Sequence, residues 1–161
     1  MADEAKKKRA LALWEEGQSF HQRGSLKRAI ALYSESIAVC PTAEAHTFRG
    51  WAYSFLGRIE EAIAECKVAI EVDPSFGNPY NDIGSYLMKL GEFDEAVEWL
   101  EKAKSATRTE VPHFPYMNLA RLYARKGQLA AAIEELEGAL KLCPEEQSCR
   151  VMIERLRGKL N

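Results

Sequence analysis

The sequence predicts an all-α fold in which helical hairpins stack into a solenoid, and two observations lead to this prediction. First, a pattern of small residues recurs along the chain at intervals of about 34 residues, which is typical of a helical repeat array. Second, each recurring glycine turn lies between two segments whose apolar residues have helical spacing. The recurring positions are Gly17, Gly24 and Ala29, then Gly50, Gly57 and Ala62, then Gly84, Gly91 and Ala96, and finally Ala120, Gly127 and Ala132.

The first hairpin begins with a helix predicted from about Asp3 to Arg23, whose early acidic residues suit the positive end of the helix dipole. Gly24 ends this helix, and a second helix is predicted over Leu26 to Val39. The second helix stops at Cys40 because Pro41 disfavours helical geometry in the residue before it.

The same pair of helices then recurs three times. The predicted helices are Ala43 to Leu56 and Ile59 to Val72, then Asn78 to Leu90 and Phe93 to Lys104, and then His113 to Lys126 and Leu129 to Leu142. The connection Thr107 to Pro112 is longer than its counterparts, which predicts an irregular step between the third and fourth pairs. After Pro144 a single amphipathic helix follows, and its one apolar side suits a cap at the end of a solenoid.

We therefore expect one domain that spans the chain and ends in a cap. Its predicted parts are an N-terminal helical extension over residues 1–9, repeats over about 10–42, 43–76, 77–112 and 113–146, and a capping helix over 147–161.

Composition excludes several classes of partner. The 161 residues carry a formal net charge of −2, which argues against nucleic acid because phosphate binding needs a basic surplus. No apolar stretch approaches the roughly 20 residues of a membrane span, and the N-terminus lacks the apolar core of a secretory signal. We expect a cytoplasmic protein without a membrane partner. A monomer is favoured, although the oligomeric state stays open.

The sequence predicts no metal site and no cofactor. The cysteines lack the C-x-x-C spacing of zinc and redox sites, so we expect them to be free in a reducing compartment. Motifs of hydrolases, phosphate-binding loops and calcium loops are also missing. The sequence thus favours a protein that is not an enzyme. The cysteines are Cys40, Cys66, Cys143 and Cys149.

Three stretches of the chain share a further pattern: G-W-A-Y from Gly50 to Tyr53, I-G-S-Y-L from Ile83 to Leu87, and L-A-R-L-Y from Leu119 to Tyr123. Together with the paired alanines and closing prolines, they resemble the tetratricopeptide repeat (TPR) family over about residues 10–146. The resemblance implies a right-handed α-solenoid of four TPR hairpins plus a C-terminal capping helix. The alanine pairs are Ala62 with Ala69, Ala96 with Ala103 and Ala132 with Ala139, and the prolines are Pro41, Pro74 and Pro144.

The chain departs from the family pattern at a few positions. Ser36 replaces the late alanine of the first repeat, and Arg108 stands where a proline would close the third. The early tryptophan of the family is replaced in every repeat. Its positions hold Leu13, His46, Tyr80 and Tyr116. We expect these changes to leave the fold intact.

The TPR resemblance also implies a concave groove lined by the first helix of each pair. Helical spacing from the buried positions then selects the residues that face this groove. They are Trp14, Gln18 and His21; Thr47, Phe48, Trp51 and Phe55; Asn78, Asn81, Asp82, Ser85, Met88 and Lys89; and Phe114, Met117, Asn118, Arg121 and Arg125.

Three kinds of side chain divide this predicted groove. The amides of Asn78, Asn81 and Asn118 can bind an extended peptide backbone, because each amide both donates and accepts hydrogen bonds. The rings on the second groove helix offer anchors for apolar side chains. The cations Lys89, Arg121 and Arg125 favour an acidic group. An alternative is that Phe48, Phe55 and Phe114 merely pack between adjacent helices.

TPR proteins that clamp the C-terminal tails of chaperones use lysine, arginine and asparagine on three successive groove helices. The matching positions of this chain hold Trp14, Gln18, Phe48, Asn78 and Asp82. A shift by one repeat gives Thr47, Trp51, Asp82, Phe114 and Asn118 instead. Neither set supplies the required cations, so a chaperone cofactor of that type is not expected.

The favoured function is therefore a non-catalytic adaptor that binds a peptide segment of a partner protein. One alternative is a TPR-type secretion chaperone, often a dimer, that holds an unfolded segment of a secreted protein. Another is a catalytic role built on His21, Glu15 or Asp82.

Overall fold

The computed structural model describes residues 1–161 and folds them into nine α-helices without a β-strand. The predicted all-α repeat fold is confirmed. The helices are α1 (Ala2–Gln22), α2 (Leu26–Val39), α3 (Ala43–Phe55), α4 (Ile59–Val72), α5 (Asn78–Lys89), α6 (Phe93–Lys104), α7 (Phe114–Arg125), α8 (Leu129–Leu142) and α9 (Gln147–Leu160). None of them combines the length and the apolar character that a membrane-spanning helix requires.

The second helix of each hairpin has the predicted bounds, whereas each first helix ends one residue earlier than predicted. The reason is the glycine turn. Gly24, Gly57, Gly91 and Gly127 have φ between 76° and 80°, a left-handed conformation that glycine adopts without steric cost. The residue before each glycine is the C-cap of its helix, with ψ between −6° and 4°. The residue after it donates its backbone N–H to a carbonyl in the last turn of the helix at 2.9–3.0 Å, which completes a Schellman cap.

Small residues set the close approach of the two helices within a hairpin. A Cβ atom on Gly17 would lie 2.5 Å from the Tyr33 ring, and a Cβ on Gly84 would lie 2.5 Å from Cγ of Leu100. Both partners are fully buried, so neither has room to move away. The close approach of the helices at these crossings therefore requires small residues.

The capping helix α9 completes the core of the last hairpin. Its apolar face, with Cys149, Ile153 and Leu156, joins one buried cluster with Leu136 and Ala139 of α8. Its opposite face is exposed. This two-sided character is what the end of a repeat stack requires.

The long connection between α6 and α7 does not extend into solvent but pairs with the connection between α4 and α5. Arg108 donates its backbone N–H to the Ser75 carbonyl at 3.0 Å, and Gly77 donates to the Arg108 carbonyl at 2.9 Å. The Arg108 guanidinium lies 4.2 Å from the centre of the Phe76 ring and forms an ion pair with Asp73 at 2.7 Å. The extra residues thus give the third hairpin a fixed attachment to the second.

Candidate functional site

The first helices of the hairpins line one side of the stack. Helix α3 contacts α1 and α5, and α5 also contacts α7, whereas no comparable contact joins α2 to α4 or α4 to α6. Because the first helices are closer to one another than the second helices are, the stack curves towards α1, α3, α5 and α7. This places the concave face where the sequence predicted it.

Three adjoining pockets occupy this face. We call them the ring pocket, of about 300 Å³, the central pocket, of about 280 Å³, and the edge pocket, of about 240 Å³. They adjoin because Phe48 lines all three and Trp51 lines the first two. The ring pocket is lined by Gln18, His21, Gln22, Gly24, Leu26, Tyr33, Phe48, Trp51 and Phe55. The central pocket is lined by Thr47, Phe48, Trp51, Asn78, Asn81, Asp82, Val111 and Phe114. The edge pocket is lined by Trp14, Gln18, Glu44, Phe48, Phe76, Asn78, Arg108, Thr109 and Glu110.

A chain of aromatic rings connects the pockets. The Trp14 and Phe48 ring centres are 5.3 Å apart, those of Phe48 and Trp51 5.7 Å apart, and those of Trp51 and Phe55 5.5 Å apart. These are ordinary aromatic contact distances. Phe48 is half-buried among these rings, so it packs between helices as the alternative interpretation expected. Trp51 and Phe55 are different, because 42% and 60% of their surfaces remain exposed.

His21 forms part of the wall of the ring pocket. Its Nδ1 lies 3.1 Å from the hydroxyl of Tyr33, and its ring centre lies 4.4 Å from that of Trp51. Burial lowers the pKa of His21, so the imidazole is neutral at physiological pH. Glu15 is exposed on α1 and Asp82 lines another pocket. The structure therefore does not bring together the three residues considered for catalysis.

A line of polar side chains crosses the groove from α7 to α5. The Arg121 guanidinium donates to Oδ1 of Asn118 at 2.9 Å, and Nδ2 of Asn118 donates to Oδ1 of Asn81 at 2.9 Å. Asp82 follows Asn81 on α5 and lines the central pocket with it. Burial raises the pKa of Asp82 to about 7, although the Asn81 contact opposes this rise. Of the three predicted amides, Asn81 and Asn118 therefore bind each other, whereas the Asn78 oxygen accepts a 3.2 Å hydrogen bond from the Thr109 hydroxyl.

The remaining candidates lie on α5 and α7 and line none of the three groove pockets. Arg125 lies 5.3 Å from the centre of the Phe93 ring, and Lys89 lies 5.9 Å from that of Tyr86. Met117 and Arg121 line a small cleft beside α9. Ser85 and Met88 are half-buried and line none of the three large pockets. The predicted groove residues that line the three pockets therefore lie on α1, α3, α5 and the N-terminal half of α7.

A sequence model of the tetratricopeptide repeat matches residues 43–76, 78–110 and 115–146, which is more than half of the chain. The protein belongs to the TPR family. Proteins of this family mediate protein–protein interactions, which is the coarse function that membership establishes.

Two plant relatives illustrate how such TPR segments occur in longer proteins. The inactive TPR repeat-containing thioredoxin TTL3 of Arabidopsis thaliana is 33% identical over 81 residues, which is 50% of this chain and 12% of the relative. The Hsp70-Hsp90 organizing protein 3 of Arabidopsis thaliana is 33% identical over 85 residues, which is 52% of this chain and 15% of the relative. The chain therefore matches only a small part of these relatives.

Solved TPR structures share the fold. The structure of pilF from Pseudomonas aeruginosa superimposes with a TM-score of 0.88 at 21% identity, over 96% of this chain and 70% of that one. The second TPR domain of Spaghetti (RPAP3), bound to the HSP90 peptide SRMEEVD, gives a TM-score of 0.59 at 29% identity, over 64% of this chain and 98% of that one.

Sequence reasoning missed the contribution of connections to this TPR groove. Val111 lines the central pocket, and Phe76, Arg108, Thr109 and Glu110 line the edge pocket. All five lie in connections, whereas the family pattern directs attention to the first helix of each pair. The greater length of the connection from Thr107 to Pro112 was the one available signal.

Proposed function

We propose that this TPR chain is a non-catalytic adaptor that binds an extended segment of a partner protein along its concave groove. The observation that supports this most directly is the exposure of Trp51 and Phe55 beside the hydrogen-bonded pair of Asn81 and Asn118. Exposed large rings next to fixed polar groups are typical of protein interfaces, because the rings provide buried anchors once the partner binds. The Trp51 side chain borders both the ring pocket and the central pocket.

The proposed segment places an apolar side chain in the ring pocket, against Trp51 and Phe55. Its backbone then crosses the central pocket, where the side-chain amides of Asn78 and Asn81 on α5 provide N–H groups for its carbonyls. The edge pocket is bordered by Glu44, Glu110 and Arg108. Arg108 is paired with Glu44, so the charge of Glu110 is left to disfavour an acidic residue there. We therefore expect acidic residues of the segment near Arg121, at the other end.

A second candidate ligand is an acidic C-terminal peptide of the HSP90 type, which the RPAP3 domain binds. The relation to Hsp70-Hsp90 organizing protein 3 favours this candidate. Against it stands the chemistry of the matching groove positions. Trp14, Asn78 and Asp82 occupy the places where the family has cations to hold carboxylates, and Phe48 occupies the place of an asparagine. We therefore expect the peptide SRMEEVD to bind more weakly than peptides with an apolar anchor.

The test is selection of binding peptides from a random library on the intact chain, followed by affinity measurements with variants. Phe55→Ala and Trp51→Ala should weaken binding of the selected peptides at least tenfold, because each removes a ring from the anchor site. Val151→Ala is the matched control, since Val151 is 55% exposed on α9 outside the groove. Circular dichroism should show the same helix content for all variants.

Two results would contradict the adaptor proposal. One is equal affinity of the selected peptides for the wild type and both ring variants. The other is tight binding of SRMEEVD that survives both substitutions, which would favour the HSP90-type ligand instead. We place the adaptor in the cytoplasm as a monomer, and a dimer through the N-terminal helix in gel filtration would favour the secretion-chaperone alternative.

A further inference from the structure

Three side chains that commonly bind metals meet where α7, α8 and α9 join, outside the large groove pockets. His113 is the N-cap of α7, Cys143 is the C-cap of α8 and Glu146 is the N-cap of α9. One ligand atom from each lies within 4.8 Å of the other two. His113 is 9% exposed, and the other two residues are half-buried.

We propose that His113, Cys143 and Glu146 bind one Zn²⁺ ion. Imidazole nitrogen, thiolate sulfur and carboxylate oxygen are the ligand types that zinc takes in proteins. A tetrahedral zinc ion separates such ligand atoms by about 3.4–3.8 Å, given metal–ligand bonds near 2.0–2.3 Å. Nε2 of His113 already lies 3.9 Å from Oε2 of Glu146. Small side-chain rotations therefore bring all three ligands to bonding distance.

The Glu146 carboxylate is oriented for this role by its neighbours. Oε1 of Glu146 accepts a 2.6 Å hydrogen bond from the Ser148 hydroxyl and a 3.4 Å bond from the Ser148 backbone N–H. Its other oxygen, Oε2, faces His113. The backbone N–H of Glu146 also donates to the Cys143 carbonyl at 3.2 Å, so one tight turn holds two of the three ligands. Such outer hydrogen bonds fix the direction of metal ligands.

The ion would connect three helix ends that otherwise meet mainly through apolar contacts. Zn²⁺ bound here ties α9 to the last hairpin and leaves a fourth position for water. This site was not predictable from the sequence, because residues 113, 143 and 146 lack the C-x-x-C spacing by which zinc sites are recognised. The repeat stack itself brings the distant histidine to the turn after α8.

The test is titration of the reduced, metal-free protein with Co²⁺ and then Zn²⁺. Co²⁺ should give the visible bands of tetrahedral cobalt and a near-ultraviolet charge-transfer band from its bond to the Cys143 thiolate. Zn²⁺ should displace it at one equivalent per chain and raise the thermal unfolding temperature, because it binds only the folded site. His113→Gln, Cys143→Ser and Glu146→Gln should each weaken binding at least tenfold.

Cys40→Ser is the matched control, because Cys40 is likewise the C-cap of its helix and precedes a proline. This variant should bind Co²⁺ as the wild type does. Glu146→Gln retains the amide oxygen that can accept from Ser148, so its loss of affinity would report the lost charge and not a lost helix cap. The proposal is wrong if Co²⁺ keeps the spectrum of the aqueous ion, or if the three variants bind as tightly as Cys40→Ser.

Discussion

The side-chain amide of Asn118 donates a 2.9 Å hydrogen bond to the side-chain oxygen of Asn81 and so joins α7 to α5 across the groove. Asn81 is 8% exposed, and Arg121 holds the oxygen of Asn118 from the other side. Each amide thus already has a partner before any peptide arrives. A bound segment can therefore accept hydrogen bonds only from the amide N–H groups that are not used within this pair. The hydrogen bond holds both side chains in place.

The hydrogen bond predicts energetic coupling between the two positions. Asn118→Ala leaves the Asn81 oxygen without its partner at a nearly buried site, which should reduce the free energy of unfolding by about 1–3 kcal/mol. Asn81→Ala should cost a similar amount, and the double variant should cost less than the sum because the broken bond is shared. Urea unfolding of the four proteins measures this cycle. Simple additivity would contradict the coupling.

The raised pKa of Asp82 predicts a pH dependence of stability. Burial raises this pKa to about 7 in the folded chain, compared with about 3.9 for an unfolded aspartate. Between these values the folded state binds the proton more tightly than the unfolded state does, so stability falls as pH rises through this window and levels off above it.

Asp82→Asn removes the ionisable group and should therefore flatten this dependence. At pH 8 we expect the variant to be more stable than the wild type by about 1–2 kcal/mol, which is less than the full pKa difference implies because the residue is partly exposed. At pH 4 the two proteins should have similar stability. Urea unfolding across this range measures the difference, and parallel curves for the two proteins would refute the assignment to Asp82.

Much of the fold was predictable because local residues determine it. The glycine turns fix where each first helix ends, and the closing prolines fix where second helices such as α2 and α4 stop. Gly17 and Gly84 belong to the recurring small residues of the sequence, and both lie at close helix crossings. These features act over a few residues, so a periodic sequence displays them directly.

The site was predictable only in part, because its details depend on distant residues. Helical spacing located Trp51 and Asn81 on the concave face, but it did not show that the Asn118 side chain would donate a hydrogen bond to the side-chain oxygen of Asn81. Nor did it show that Arg108 would return to the second hairpin. Both contacts join residues more than 30 positions apart, and which side chains meet at that separation is decided by the geometry of the stack.

The close crossing at Gly84 predicts a large effect of a single methyl group. In Gly84→Ala the new Cβ would lie 2.5 Å from Cγ of buried Leu100, and such overpacking costs about 1–3 kcal/mol. Gly158→Ala is the matched control, since a Cβ there meets nothing within 4 Å. The free energy of unfolding of this control should rise by roughly 0.5 kcal/mol because alanine has a higher helix propensity than glycine. Thermal unfolding of both variants measures the contrast, and equal shifts would disprove the crowding at Gly84.

The attachment of Arg108 predicts that restoring the family's closing proline destabilises this chain. Arg108→Pro removes the N–H that donates to Ser75 together with the ion pairs of the side chain with Asp73 and Glu44. Arg108→Ala removes the same ion pairs and the contact of the guanidinium with the Phe76 ring, but it keeps the backbone N–H. The ion pairs are partly exposed and worth about 0.5–1 kcal/mol. The free energy of unfolding of the proline variant should therefore be about 1 kcal/mol lower than that of the alanine variant. Urea unfolding at low and high salt separates the two contributions, because salt weakens the ion pairs and leaves the backbone bond unchanged. A proline variant as stable as the alanine variant would mean that the connection does not depend on this backbone bond.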